Sequence, residues 1–214
     1  MMKPDRNLPS MRRLLGVVTV ATIVLLSAPF TEILAANNHP ALSPNQDFSN
    51  PLLQIHAPNS EGWLGSERTD HSIVFGKAGS SAHETIAAAV ILFHLPAFSD
   101  SDAFTQYVRE AVITGSPTER FETFDVNVQY SADRGYPCVT YHAVSNEKKV
   151  RVSLFYSKTL RFELFALYCQ YPSRPGLGFM ASYSRRGGGS DANMDREAAA
   201  FIDSIQVTPH GSAP

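Results

Sequence analysis

Two adjacent arginines near the end of the chain are the residues best placed to bind a ligand. Arg185 and Arg186 stand before three glycines and Ser190, and a predicted helix follows. We expect the stretch 185–190 to be a flexible loop. Free N–H groups at a helix start favour anions, and guanidinium groups pair with carboxylates and phosphates. Together with Arg174 and Tyr171 from the preceding turn, these arginines are predicted to bind such an anion; the alternative is a flexible connector whose arginines are solvated.

The two cysteines, Cys138 and Cys169, are the second feature with clear chemistry. Two cysteines in an exported domain most often form a disulfide, and export is what the N-terminal segment described below predicts. A reactive thiol would instead need an electropositive, partly exposed setting. Strands two positions apart in a sheet are roughly 9–10 Å from each other, which is too far for this bond. We therefore predict that the cysteines lie opposite each other on neighbouring strands of a long hairpin, with Glu147 to Lys158 as its tip or loop.

The histidines do not form a recognisable catalytic or metal motif. His71, His83, His94 and His142 are dispersed, and metal sites usually include at least one close pair of ligands. The chain has no G-x-S-x-G turn and no phosphate-binding glycine motif. The prediction is no catalytic residue, no metal and no cofactor. A triad assembled from distant residues is the alternative, because its members converge in space rather than in sequence.

Two predicted helices and a set of strands must position these residues. The first helix begins near Ser99 or Ser101 and ends at Gly115, with apolar residues at helical spacing. The second has Asp191 or Asn193 as its cap and an apolar stripe at helical spacing, Met194, Ala198, Phe201, Ile202 and Ile205. One face of each helix is therefore expected to be buried.

Alternating or continuous apolar runs predict the strands. Residues 85–95 read as a buried central strand, and Phe124 to Tyr130 alternate as a strand with one dry face. Further strands are predicted at 71–76, 138–144, 160–171 and 179–183. Strands and helices that are separated rather than alternating favour an α+β fold, an antiparallel β-sheet with two main helices packed on it.

The N-terminal segment predicts export. Basic residues precede an apolar stretch, Leu14 to Phe30, and small residues Ala35 and Ala36 follow, which is the order of a secretory signal. The predicted organisation is a signal peptide at 1–35, a disordered leader or tether at 36–61, one domain at 62–207 and a frayed tail at 208–214. The expected location is periplasmic or secreted; an uncleaved membrane anchor is the alternative.

Composition and charge argue against two other classes of protein. The 214 residues are 43% hydrophobic with a net charge of −2, which argues against wholesale disorder and against binding to nucleic acid. Residues 1–35 contain more basic than acidic side chains, so the chain without them is still more negative.

Several longer passages carry a family resemblance. ETIAAAVILFHLPAFSDSDAFTQYVRE, the pair GYPCVTYHAV and FALYCQYP, ASYSRRG and EAAAFIDSIQV are similar to those of uncharacterised secreted bacterial proteins with a PsbP-like sandwich. The resemblance covers roughly residues 62–207 and implies that fold, with binding or assembly roles and no catalytic residues. The predicted function is an exported, non-catalytic binding or envelope-associated accessory protein, whose partner is an unknown protein or a small anionic ligand. It contacts a membrane only if the N-terminal segment stays attached. A secreted hydrolase is the alternative function.

Overall fold

The computed structural model describes residues 40–81, 83–151 and 156–208, with the backbone alone for residues 66 and 67. Its strands are β1 Asp47–Ser49, β2 Leu53–His56, β3 Leu64–Arg68, β4 Ser72–Ala78, β5 Thr85–His94, β6 Phe121–Ser131, β7 Cys138–Arg151, β8 Ser157–Gln170, β9 Leu177–Gly187 and β10 Gln206–Val207. Helix α1 is Ser101–Gly115 and helix α2 is Met194–Asp203. The predicted α+β fold is confirmed. The PsbP-like resemblance stays a prediction.

Seven strands form one antiparallel sheet in the order β3-β4-β5-β9-β8-β7-β6. It consists of two meanders, β3 to β5 and β6 to β9, which are joined where β5 pairs with β9. A small second sheet, β1-β2-β10, brings the start and the end of the described chain together. The strands predicted from the apolar runs are all present, and β5 is the buried central strand that was expected.

The large sheet is covered on both faces, at different places. Helix α2 and the small sheet lie on one side, which we call the α2 face, and their shared core includes Trp63, Phe75 and Phe201. Helix α1 lies on the other side, the α1 face, against β6 and β7. Because α2 packs on β9 and β8, the outer part of the α2 face on β6 and β7 lies beyond it.

Each helix buries the stripe that its sequence spacing predicts. In α1, Phe104, Val108 and Val112 are buried, and the side chain of Asp100 caps the first turn by accepting a hydrogen bond from the Ala103 N–H at 2.8 Å. In α2 the buried residues include Ala198 and Phe201. Within the described part of the chain, neither helix is long and apolar enough to cross a membrane.

The predicted disulfide and its topology are confirmed. Cys138 and Cys169 are register partners on β7 and β8, with Cα atoms 4.1 Å apart, and both are buried. The strands run further than expected, since pairing continues through the predicted tip to Arg151 and Ser157. A disulfide in the core is typical of proteins that fold in an oxidising compartment.

The prediction of a disordered leader over 36–61 is wrong for its described part. Residues 40–61 include β1 and β2, and Leu53 and Ile55 are 1% and 2% exposed in the α2-face core. The apolar residues looked scattered in sequence because they alternate along a short strand that also pairs with β10. The folded unit therefore begins before residue 62. The predicted signal peptide and nearly all of the predicted tail lie outside the described residues.

The prediction of a dry face along β6 is also wrong at its start. Phe124 is 57% exposed and Val126 is 44% exposed. Pairing with β7 shifts between Thr123 and Asp125, so Phe124 is the extra residue of a β-bulge. The strand also lies at the edge of the sheet, where only one neighbour covers its side chains.

Candidate functional site

The two predicted anion-binding arginines do not face a common ligand. Both lie in β9, which continues to Gly187, so residues 185–187 of the expected loop belong to a strand. Consecutive strand residues point to opposite faces. Arg185 lies on the α2 face and pairs with Glu84, and its side chain also donates to the Gly189 carbonyl. Arg186 lies on the α1 face, where its Nε is 2.5 Å from Glu147 Oε2.

Both carboxylates that hold these arginines are buried. Glu147 is 3% exposed, and it is also 2.6 Å from a guanidinium nitrogen of Arg120. Burial raises the pKa of Glu84, but hydrogen bonds from Ser80 and the charge of Arg185 outweigh it, so the pKa is lowered overall. The arginines therefore neutralise carboxylates of the fold and stabilise the sheet at that end.

The other two predicted ligand residues lie apart from this pair. The buried hydroxyl of Tyr171 lies 3.1 Å from the Leu52 carbonyl and 2.9 Å from the Thr208 carbonyl, so it fastens the small sheet to the end of β8. Arg174 is exposed in the turn between β8 and β9. The structure does not bring the four predicted residues together into one site.

A polar network on the α2 face contains a serine close to charged groups. Ser60 Oγ accepts hydrogen bonds from the indole of Trp63 at 3.0 Å and from the ammonium of Lys77 at 3.2 Å, and it donates to Glu197 at 3.3 Å. The hydroxyl of Tyr183 donates to the same carboxylate oxygen at 2.7 Å. Both lone pairs and the proton of Ser60 are engaged, so the hydroxyl ties residues near 60 to helix α2 and is poorly placed for nucleophilic attack.

His142 has an acidic partner, and no contact among the described residues joins it to a serine. Its Nε2 lies 3.1 Å from Glu163 Oε1, and its ring stacks on Phe165 with centroids 4.1 Å apart. Arg161 lies 3.3 Å from the other oxygen of Glu163. His94 is at the exposed end of β5. Among the described residues, no group of three His, Cys, Asp or Glu side chains is arranged to hold a metal ion.

His142, Arg161 and Glu163 belong to a wider, partly exposed surface, which we call the open face. It is the part of the α2 face that lies on β6, β7 and β8 outside helix α2. Register places the following residues on it: Asp125, Asn127 and Gln129 from β6, Thr140 and His142 from β7, and Arg161 and Glu163 from β8. Phe124 borders it, with the Arg161 guanidinium carbon 5.9 Å from its ring centre.

The open face combines hydrogen-bonding groups with an exposed aromatic ring. Amide, hydroxyl and carboxylate groups offer hydrogen bonds, while an exposed aromatic ring beside a guanidinium offers a large contact area. Aromatic and arginine side chains are enriched at protein interfaces. Phe124 is the residue that sequence reasoning missed, because its place in the strand alternation suggested burial.

A cleft of about 250 Å³ lies at the opposite edge of the sheet, between residues 40–48 and strands β3 and β4. Leu42, Phe48 and Phe75 give it apolar walls, and Arg68 is its basic residue. That arginine already donates to the Ser49 carbonyl at 2.7 Å. Among the side chains that the structure describes, the lining of the cleft includes no histidine or carboxylate.

Comparisons with solved structures find matches of low sequence identity and low TM-score. No protein-family model and no curated protein matches the chain. Among solved structures, a mutant of the protein Mog1 has a TM-score of 0.42 at 11% identity over 81% of this chain and 98% of its own. The Ran-binding protein Mog1p of Saccharomyces cerevisiae has the same TM-score and identity over 78% and 96%. A protein from Bacteroides thetaiotaomicron has a TM-score of 0.34 at 12% identity, over 81% of this chain and 52% of its own.

Proposed function

We propose that this chain is an exported, non-catalytic binding protein, an accessory factor of the cell envelope whose ligand is another protein. The observation that carries the proposal is the open face with exposed Phe124 beside Arg161. Phe124 is 57% exposed, so most of its ring is free to pack against a partner. The disulfide and the signal-like N-terminal sequence support export.

A protein ligand fits this surface better than a small anion does. The described ion pairs use Arg185, Arg186 and Arg161 to neutralise carboxylates of the chain itself. The groups of the open face are spread over three strands, whereas small molecules generally bind where polar groups converge in a concave site. An aromatic residue and an arginine on such a surface favour a protein as the ligand.

Site-specific photo-crosslinking in intact envelopes tests the proposal. We would replace Phe124 by a benzophenone amino acid and use Ile113, which is 63% exposed on helix α1, as the matched control position. The expected result is a discrete crosslinked protein from position 124 that is absent from position 113 and is weakened by Arg161→Ala. Equal products from both positions, or none from position 124, would contradict a protein interface there.

The alternative function, a secreted hydrolase, has weaker support. His142 and Glu163 resemble a catalytic pair, and Ser60 contacts charged groups, but they belong to separate clusters. A fluorophosphonate probe that labels the purified protein, and fails to label the Ser60→Ala variant, would favour hydrolysis over binding.

A further inference from the structure

The two edges of the large sheet differ in how well they are protected. The β3 edge is short, has a bulge between Gly65 and Glu67, and is partly paired already, since Ala41 bridges Leu64 and the Leu42 N–H donates to the Trp63 carbonyl at 2.9 Å. Short length, bulges and covering segments are the usual ways to block unwanted strand pairing. That edge is therefore closed to a further strand.

The β6 edge lacks these protections. Strand β6 has 11 residues and contains no proline, lysine or arginine. Its bulge lies near its start and leaves Asp125–Ser131 in regular register with β7. Within the described chain, the backbone of residues 122–130 has hydrogen-bond partners only on β7, so the outward N–H and C=O groups of this stretch are available.

The side chains of this stretch define what an added strand must carry. On the α1 face, Val126 is 44% exposed and Val128 is half-buried, so apolar side chains on a neighbouring strand would extend the core under helix α1. On the other face, Asp125 is exposed, and Glu122 is exposed nearby. Neither carboxylate has an ion-pair partner among the described residues. An added strand should therefore be basic where it meets Asp125.

This charge pattern selects between two occupants. A second copy of the chain pairing through β6 would bring two acidic strands together, and like charges on neighbouring strands are destabilising. An extended basic segment of another protein would gain opposite-charge pairs on one face and apolar contacts on the other. The acidic edge therefore favours the basic segment.

We propose that β6 binds an extended segment of the partner protein by strand addition over Asp125–Ser131, and that this segment alternates apolar and basic residues. The inference rests on the proposed function, because β6 is the outer border of the open face. Backbone hydrogen bonds supply affinity, and the alternating side chains supply specificity. The segment continues the sheet past its present edge and brings the rest of the partner over Phe124.

A synthetic peptide, acetyl-VKVRVKVRV-amide, is the probe for the full chain. The expected result is saturable binding by fluorescence anisotropy, with slower amide hydrogen exchange over residues 125–131. The Asp125→Lys variant should bind at least about tenfold more weakly, in line with the loss of close opposite-charge pairs. Asp70→Lys is the matched control, because it makes the same charge change at an exposed turn on the opposite edge of the sheet and should leave affinity within about twofold.

Several outcomes would overturn strand addition. The first is that the peptide does not bind at concentrations up to about 1 mM, and the second is that both lysine variants lose the same affinity for it. The third is that a peptide with glutamate in place of its basic residues binds equally well. The fourth is that the peptide slows amide exchange outside β6 instead. Concentration-dependent dimers that protect β6 would identify a second copy as the occupant and overturn the proposal as well. A crosslink from position 124 that survives Asp125→Lys would leave the protein-binding function standing while strand addition fails. Peptide binding without any crosslink from position 124 would support strand addition at β6 and contradict a protein interface on the open face.

Discussion

Breaking the bond between Cys138 and Cys169 should destabilise the protein by about 3–4 kcal/mol, because the bond restricts the unfolded chain. The cysteines are separated by 31 positions. In the chain-entropy model, a loop of that length corresponds to about 3–4 kcal/mol at 25 °C. For a domain of this size we expect the melting temperature to fall by about 7–14 °C.

Two perturbations separate the crosslink from the packing of the sulfur atoms. Reducing the native protein removes the bond and keeps both buried sulfurs, whereas the Cys138→Ala, Cys169→Ala double variant also leaves a small cavity. The variant should therefore lose somewhat more stability than the reduced protein. Urea unfolding followed by circular dichroism and by the fluorescence of Trp63, the single tryptophan and 1% exposed, measures both.

A loss below about 1 kcal/mol in the reduced protein would refute the entropic reasoning. It would mean that β7 and β8 remain close in the unfolded chain even without the bond, so that the crosslink restricts little. The slope of stability against urea distinguishes this case, because a compact unfolded state lowers the slope.

Three further predictions concern the buried polar groups. Replacing Glu147 by glutamine removes the buried negative charge that Arg120 and Arg186 contact and should cost about 3–5 kcal/mol in urea unfolding. The pKa of Glu84 is lowered in the folded state. The ionised carboxylate therefore stabilises the fold at pH values above the pKa that Glu84 has in the unfolded chain, and this stabilisation is lost as the pH falls through the pKa of the folded state. Glu84→Gln should therefore flatten the acid side of the stability profile measured between about pH 7 and pH 3. Replacing Tyr183 by phenylalanine removes the 2.7 Å hydrogen bond to Glu197 and should cost about 1–3 kcal/mol; an unchanged melting temperature would contradict this.

Much of the architecture could be predicted from local sequence signals. The spacing of Phe104 and Val108 predicts helix α1, because helical periodicity acts over a few residues, although the cap is Asp100 rather than the expected Ser99 or Ser101. The cysteine pair adds one long-range constraint, since a disulfide is possible only between close neighbours. That constraint was enough to establish the pairing of β7 with β8.

The candidate site was much less predictable, since it depends on where strands end and which neighbours they have. The glycines after Arg186 suggested a loop, but the pairing of β9 with β5 and β8 extends the strand to Gly187 and sends Arg185 and Arg186 to opposite faces. The exposure of Phe124 depends on a single inserted residue and on the edge position of β6. Neither the bulge at Phe124 nor the edge position of β6 can be recognised from the local sequence.

The pairing of β5 with β9 has a consequence for the order of folding. Every other pairing in the large sheet joins strands that follow one another along the chain, whereas this one brings His94 beside Leu177 and encloses α1 and three strands. Closing such a long loop costs more conformational entropy than closing a hairpin, so this pairing should be the slow step after the two meanders have formed. Until β9 arrives, β5 is a hydrophobic strand with one edge unpaired, and such strands aggregate readily. A chain that is synthesised gradually therefore keeps one edge of β5 unpaired until residues 177–187 are available. Only then is this hydrophobic strand protected from aggregation.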